Sequence, residues 1–152
     1  MKRIFIATTS FARHSDEALN FLKNHDCDIS MNKSERKLRN NEIGKYINGC
    51  DGVIAGTEEY SKTILDQVSN LKVISRLGVG VDNIDIQEAT NQGVIVMNNP
   101  DGNTISAAEH TMAMMMALSR NIQLGHLGLI KGEWNRSNLV GNEIKGKTLG
   151  VV

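Results

Sequence analysis

The chain has 152 residues, a length that suits one ordinary domain and part of a second. Its 17 basic residues balance 17 acidic ones, so electrostatics does not favour nucleic acid or an anionic membrane as a partner. A 40% apolar content with a single proline excludes the disordered and fibrous classes, and no apolar run is long enough for a membrane span or a signal peptide. We therefore expect a globular, cytoplasmic protein.

Short apolar runs alternate with helical patterns over the first hundred residues. The apolar runs predict strands at residues 4–7, 27–31, 52–57, 71–77 and 94–97. The intervening patterns predict helices at residues 15–22, 34–46, 61–68 and 86–91. This alternation predicts an α/β fold with a doubly wound parallel sheet.

A different pattern begins after residue 103. Ser106 and Glu109 have the spacing of a capping box, in which each side chain satisfies a free backbone N–H at a helix start. The helix that follows, to about residue 130, is apolar nearly all round, so we expect it to be buried between two layers or two domains. Residues 146–152 predict the beginning of another buried strand.

The candidate binding loop is the turn that follows the fourth predicted strand. Gly78 and Gly80 allow backbone N–H groups to approach an anion such as a carboxylate, and Arg76 offers it a bidentate partner. The third glycine of a dinucleotide fingerprint is missing, which argues against a phosphate loop. A tight turn with a structural arginine explains the spacing equally well.

Other candidate residues have less specific patterns. Asn103 precedes the capped helix and is placed to orient a carboxylate or a carbonyl, although an Asx turn is the more common use of this pattern. Trp134 suits either a core position or an interface. No histidine pair has the spacing of a metal site, and Cys27 and Cys50 predict two reduced, buried thiols rather than a disulfide.

Six blocks of sequence, mostly in the second half of the chain, carry a family resemblance. They occupy residues 76–85, 93–100, 102–111, 131–134, 141–143 and 146–150. In order and spacing these blocks resemble the D-isomer-specific 2-hydroxyacid dehydrogenases, most closely the D-3-phosphoglycerate dehydrogenase-like branch. Residues 1–70 fit this family only in the rhythm of strands and helices.

The resemblance implies two domains. Residues 1–100 would form a flavodoxin-like substrate domain, and residues 101–152 a long hinge helix with the incomplete beginning of a Rossmann domain that binds NAD. The family's phosphate-binding glycine loop and its catalytic arginine, glutamate and histidine would follow Val152. No residue of this chain is therefore assigned a catalytic role, and NADP is not excluded as the cofactor.

The resemblance also implies roles for individual residues. Gly78, Val79 and Gly80 would hold the substrate carboxylate with backbone N–H groups. Asn103 would line the substrate pocket, and Val79 and Ala107 would contact the cofactor.

The implied activity is that of an NAD-dependent oxidoreductase acting on the CH–OH group of a D-2-hydroxy acid, with 3-phosphoglycerate as the best guess and Arg136 meeting its phosphate. This chain would supply the substrate-domain half and be inactive alone. The alternative is a non-catalytic, truncated module that acts in assembly or partner binding, with a homodimer formed through the long helix and Trp134. A response-regulator receiver shares the fold order, but residues 7–9 and 55–57 lack the acidic side chains that it requires.

Overall fold

The computed structural model describes residues 1–151, which form two compact units. The first unit is Met1–Asn103, and the second begins at Thr104. The first unit combines strands and helices, whereas the second is helical.

The first unit is built on a parallel sheet of five strands. The strands are β1 (Lys2–Ile6), β2 (Cys27–Met31), β3 (Gly52–Ala55), β4 (Val73–Arg76) and β5 (Ile95–Met97). The helices are α1 (Glu17–Lys23), α2 (Asn40–Ile47), α3 (Lys62–Leu65) and α4 (Ile86–Asn91). The strand order is β2-β1-β3-β4-β5, and every neighbouring pair is parallel. The predicted α/β fold with a parallel sheet is confirmed.

One face of this sheet carries the hydrophobic core. Phe5, Val53 and Ile74 lie on the three central strands, and each is at most 2% exposed. They form one buried cluster with residues of α2, α3 and α4, including Ile43 and Leu65. Burial of such side chains stabilises the fold by about 1.5–3 kcal/mol each. This packing fixes the sheet and, with it, the loops at the carboxyl ends of the strands.

The opposite face of the sheet is less covered. Helix α1 contacts β2, but none of its residues is buried, and Phe21 is 61% exposed. On the same face Ile54 is half-buried, whereas Ile95 and Met97 of β5 are 64% and 55% exposed. The first predicted helix therefore forms, but its apolar residues do not enter a core.

Helix α2 begins later than the sequence pattern predicts. The side chain of Asn32 donates a hydrogen bond to the carbonyl of Arg36 (2.8 Å), which holds the preceding segment in a turn. The carboxylate of Glu42 then accepts a hydrogen bond from the backbone N–H of Arg39 (2.8 Å). This side-chain cap sets the start of the helix at Asn40.

The second unit contains α5 (Thr104–Ser119), α6 (Ile122–Ile130) and a 3-10 helix (Arg136–Leu139). The single long hinge helix predicted there is wrong. Asn121 has a left-handed backbone (φ 52°) between α5 and α6, and its side chain donates to the carbonyl of Val140 (2.9 Å). The predicted capping box is wrong too, because α5 begins at Thr104 and Ser106 therefore lies inside the first turn.

The apolar residues of α5 and α6 are exposed. Neither helix has a buried residue, and Leu118, Ile130 and Trp134 are 73%, 69% and 78% exposed. Residues 104–151 contain no sheet against which the helices pack, so the expected burial between two layers does not occur within these residues. Burial between two domains stays a prediction. The strand predicted at 146–152 is absent as far as residue 151, and Val152 lies outside the described residues. Within residues 1–151, no helix has both the length and the apolar character of a membrane span.

The two cysteines are free, as predicted. Cys50 is buried, and burial raises the pKa of its thiol. Cys27 is only half-buried, which corrects the expectation that both thiols lie in the core.

Candidate functional site

The predicted binding loop follows β4 and spans residues 77–82, here called the Gly78 loop. It starts as an extension of the sheet, because the N–H of Leu77 donates to the carbonyl of Ala55 (2.8 Å). The chain then turns sharply, with the N–H of Gly78 donating to the carbonyl of Arg76 (2.9 Å). Gly78 has φ +145°, a conformation that residues with a Cβ atom rarely adopt. The turn therefore requires glycine at this position.

The Gly78 loop is held through its carbonyl groups. The carbonyl of Gly78 accepts a hydrogen bond from the N–H of Asn99 (3.1 Å), and that of Val79 accepts one from the side chain of Asn98 (2.8 Å). Among residues 1–151, no group accepts a hydrogen bond from the N–H of Val79, Gly80 or Val81. A loop that leaves consecutive backbone N–H groups free is suited to binding an anion.

Arg76 lies against the backbone of this loop. Its Nη1 donates to the carbonyl of Leu77. A Cβ atom on residue 78 would lie 2.5 Å from Nη1 and 3.0 Å from Cζ, so the guanidinium packs closely on Gly78. Its Nε is buried and has no hydrogen-bond partner among the described residues.

A second loop, between β3 and α3, is joined to the segment that follows the Gly78 loop. The N–H of Tyr60 donates to the carbonyl of Asn83 (2.8 Å), and the N–H of Asp85 donates to the carbonyl of Tyr60 (3.0 Å). The side chain of Asn83 donates to the carbonyls of Gly56 (3.3 Å) and Glu58 (2.5 Å). These bonds fix the two loops side by side at the carboxyl edge of the sheet.

Two polar residues of the β3–α3 loop were not predicted as part of the site. Glu58 is 2% exposed, and its carboxylate accepts a hydrogen bond from the N–H of Gly56 (2.8 Å). Tyr60 is fully buried, and its hydroxyl has no partner among residues 1–151. Burial and the nearby Glu58 raise the pKa of Tyr60, whereas Arg76 lowers it. In the sequence nothing separates Glu58 from its exposed neighbour Glu59, so no signal could have selected it.

The other predicted residues are dispersed over the two units. Asn103 ends the first unit, is exposed, and makes no side-chain hydrogen bond within residues 1–151, so the alternative Asx turn does not form. Ala107 and Arg136 belong to the second unit, where both are exposed. The structure thus places Arg76, Gly78, Val79 and Gly80 in one continuous segment, while Ala107 and Arg136 lie in the other unit. In the described part of the chain, no cluster of three or more histidine, cysteine or acidic side chains has the arrangement of a metal site.

The strand order and the loop at the carboxyl ends of the strands define a flavodoxin-like α/β protein, in which ligands bind at this edge of the sheet. Residues 6–143 match the family model of the D-isomer specific 2-hydroxyacid dehydrogenase, catalytic domain. The chain belongs to this family, and its relatives place it in the D-3-phosphoglycerate dehydrogenase-like branch.

Two curated relatives show how much of such proteins the chain represents. It is 48% identical over 100 residues to the D-3-phosphoglycerate dehydrogenase of Bacillus subtilis, covering 66% of this chain and 19% of the relative. It is 36% identical over 140 residues to that of Archaeoglobus fulgidus, covering 91% of this chain and 26% of the relative. The chain therefore spans about a fifth to a quarter of the length of these two relatives.

Two solved structures share the fold of this chain, and each extends well beyond the part that it covers. The TT0316 protein of Thermus thermophilus superposes with a TM-score of 0.84 at 25% identity, over 95% of this chain and 46% of that protein. The NAD+-bound 3-phosphoglycerate dehydrogenase of Entamoeba histolytica superposes with a TM-score of 0.66 at 26% identity, over 78% of this chain and 39% of that protein.

Proposed function

We propose that this chain is the substrate-binding part of an NAD-dependent dehydrogenase that acts on the CH–OH group of a D-2-hydroxy acid. The observation that carries the proposal is the Gly78 loop, with three consecutive N–H groups that no group among residues 1–151 accepts, at the carboxyl edge of the sheet. Membership in the dehydrogenase family supports the reaction class.

In this proposal the N–H groups of Val79, Gly80 and Val81 bind the substrate carboxylate. The N–H of Gly78, which the resemblance also implied, is already donated to the carbonyl of Arg76. Each bond to a carboxylate is charge-assisted and therefore stronger than a bond between neutral groups. Arg76 adds a positive charge at the base of the loop. Asn103 contributes an amide, free of other bonds within residues 1–151, that orients the carboxylate or the neighbouring carbonyl.

NAD is the proposed cofactor, and NADP fits the same residues. In the first unit Val79 is 39% exposed, which makes its apolar side chain available to a nicotinamide ring. In the second unit the small, exposed Ala107 is proposed as a separate cofactor contact. When bound, the nicotinamide ring accepts the hydride that leaves the hydroxyl-bearing carbon of the substrate. We assign no proton-transfer residue in this chain, and we expect the chain alone to be inactive.

The best guess for the substrate is 3-phosphoglycerate, because similar curated relatives are named for it. Arg136, exposed at the start of the 3-10 helix, is the proposed partner of the phosphate. The cytoplasmic location stays a prediction of the sequence.

The second candidate function is a non-catalytic module that acts in assembly. The exposed apolar residues of α5 and α6, together with Trp134, favour it, because contiguous apolar surface marks interaction sites. In this alternative two copies of the chain would associate through these helices.

Calorimetric titration separates the two candidates. We expect the chain to bind glycolate, a 2-hydroxy acid, and not ethylene glycol, which has a similar size and no carboxylate. We also expect no oxidation of NADH when a 2-oxo acid is added to the chain alone. If glycolate and ethylene glycol give the same binding heats and the chain dimerises in sedimentation experiments, the second proposal replaces the first.

A further inference from the structure

We propose that Asn98 is a positioning residue, whose side chain locks the Val79–Gly80 peptide group in the orientation that binds an anion. This inference rests on the proposed function of the Gly78 loop, in which the N–H of Gly80 is one of three donors to the substrate carboxylate. Asn98 acts on substrate binding through this peptide group.

The direction of the Gly80 N–H follows from the hydrogen bond that Asn98 makes. The carbonyl of Val79 and the N–H of Gly80 belong to one planar peptide group, and no peptide bond among residues 1–151 is cis. In a trans peptide group the C=O and the N–H point in opposite directions. Because the side chain of Asn98 donates to the Val79 carbonyl (2.8 Å), it also fixes the Gly80 N–H so that it points away from Asn98.

The preceding peptide group of the loop is held by the backbone instead. The carbonyl of Gly78 accepts a hydrogen bond from the backbone N–H of Asn99 (3.1 Å), which fixes the direction of the Val79 N–H. In the described part of the chain, the Asn98 side chain is the one donor to the Val79 carbonyl. The orientation of the Val79–Gly80 peptide group therefore depends on a single side chain.

Gly80 makes this peptide group able to turn over. A flip of a peptide group exchanges its C=O and N–H and moves the φ of the following residue to the opposite sign, which glycine tolerates because it has no Cβ atom. Gly80 has no positive φ in the present orientation, and both Val79 and Gly80 are exposed, which leaves room for the flip. In the flipped orientation a carbonyl oxygen would face the anion site and repel a carboxylate.

The same hydrogen bond also strengthens the donor. A hydrogen bond to the carbonyl of a peptide group polarises that group, so its N–H becomes a stronger donor. A carboxylate bound at Gly80 would complete a chain that runs from the Asn98 side chain through the Val79–Gly80 peptide group to the ligand. Loss of Asn98 should therefore weaken binding both by releasing the peptide group and by reducing its polarisation.

Two substitutions of Asn98 should affect the free chain differently. Asn98→Ala removes the donor, so the peptide group should sample both orientations. Asn98→Asp is nearly isosteric and places a carboxylate oxygen where the donor stood, so the peptide group should flip and donate the Gly80 N–H to that oxygen. The three-bond couplings between the amide and α protons of Gly80 report its φ. We expect averaged couplings for Asn98→Ala and a new single set for Asn98→Asp.

Calorimetric titration with glycolate connects this orientation to binding. Asn98→Ala should bind glycolate about fivefold more weakly, the effect of one ordinary hydrogen bond. Asn98→Asp should bind it more weakly still, and its added charge alone would not change the couplings of Gly80. The matched control is Asn41→Ala, at an exposed asparagine of α2 whose side chain makes no hydrogen bond within residues 1–151. It should leave the affinity and the couplings unchanged.

Three results would overturn the inference, and either Asn98 variant provides the test if the other does not fold. Unchanged couplings of Gly80 would mean that the peptide group does not depend on Asn98. An unchanged affinity for glycolate with a lower unfolding temperature would mean that Asn98 only stabilises the fold. If the unaltered chain does not bind glycolate, the proposed function fails together with this inference, whereas glycolate binding that is insensitive to Asn98 contradicts the inference alone.

Discussion

The two units of this chain differ in whether their apolar residues are buried. In the first unit, Phe5, Val53 and Ile74 lie in a closed core beneath the sheet. In the second, the strongly apolar helices α5 and α6 have no buried residue. Apolar composition predicts which residues are suited to a buried position. Their actual burial requires a second layer of structure, and within residues 1–151 such a layer exists only under the sheet.

The same comparison explains where the candidate site lies. The Gly78 loop extends from a core strand, and hydrogen bonds from Asn98 and Asn99 fix its carbonyl groups. A site that binds by backbone N–H groups needs this rigidity, because the donors must stay aligned before the ligand arrives. The second unit contributes exposed surface, which suits contacts with a partner or cofactor.

The largest difference between the units should appear in core truncations. Ile74→Ala removes a fully buried side chain from the interior strand β4 and should lower the free energy of unfolding by about 2–5 kcal/mol. The matched change Leu118→Ala, at a residue 73% exposed in α5, should stay within about 0.5 kcal/mol. Urea unfolding followed by circular dichroism measures both, and equal losses would contradict the contrast between the units.

A smaller effect is expected from the glycine that shapes the loop. Gly78→Ala places a Cβ atom in a φ +145° conformation and against Arg76, so it should lower the free energy of unfolding by about 1–3 kcal/mol and weaken glycolate binding. Gly93→Ala provides the control, because φ is +70° there and no atom lies within 4 Å of the added Cβ. Thermal unfolding should show a larger decrease in unfolding temperature for Gly78→Ala than for Gly93→Ala. The reverse order would be inconsistent with the packing of Arg76 on Gly78.

Asp82 offers a way to strengthen the site. Asp82→Asn removes a negative charge beside Gly80 with almost no change of shape, so the affinity for glycolate should rise by about threefold at low salt. The side chain is exposed, and the gain should therefore fade as salt is added. Calorimetry at two salt concentrations checks this, and a weaker affinity of the variant would show that Asp82 assists binding.

The smallest effect concerns pH and the start of α2. Hydrogen bonds from the Arg36 guanidinium and the N–H of Arg39 lower the pKa of Glu42 to about 2. A carboxyl with a lowered folded-state pKa contributes stability above its ordinary pKa and loses it as the pH falls toward 2. Glu42→Gln should therefore be less stable than the unaltered chain at pH 7, with a smaller difference at pH 3.

The control for this pH effect is Glu35→Gln. Glu35 is exposed, and its side chain makes no hydrogen bond within residues 1–151, so at pH 7 Glu35→Gln should lower the stability less than Glu42→Gln does. Urea midpoints at pH 7 and pH 3 measure the two variants. A pH-independent difference for Glu42→Gln would contradict the lowered pKa.

Local patterns predicted much of the first unit. The strand at 27–31 and the helix at 86–91 form with the predicted bounds, because alternation and an acidic cap at Asp85 act within a few residues. The turn at Gly78 and Gly80 was recognised from its glycines. Free N–H groups were expected at Gly78, Val79 and Gly80, whereas the N–H of Gly78 is donated to the carbonyl of Arg76. The position of the Arg76 side chain was not predicted, since the spacing fitted a structural arginine and a ligand contact equally well.

The features that the sequence did not predict share a physical cause, because they depend on contacts between residues distant in sequence. The burial of Glu58 and Tyr60 follows from the joining of two loops through Asn83. The break at Asn121 follows from its bond to Val140, which no helical pattern displays. The exposure of α5 follows from the absence of a second layer in residues 104–151, whereas the sequence shows only that its residues are apolar.

The most direct test of the central claim is a titration of the isotopically labelled chain with glycolate, followed by the amide resonances of individual residues. We predict that the N–H resonances of Val79, Gly80 and Val81 move to saturation, while those of Gly93 and Gly132, outside the loop, stay in place. Unmoved resonances at all three loop residues, or saturable shifts confined to another part of the chain, would contradict the assignment of the Gly78 loop as the carboxylate site.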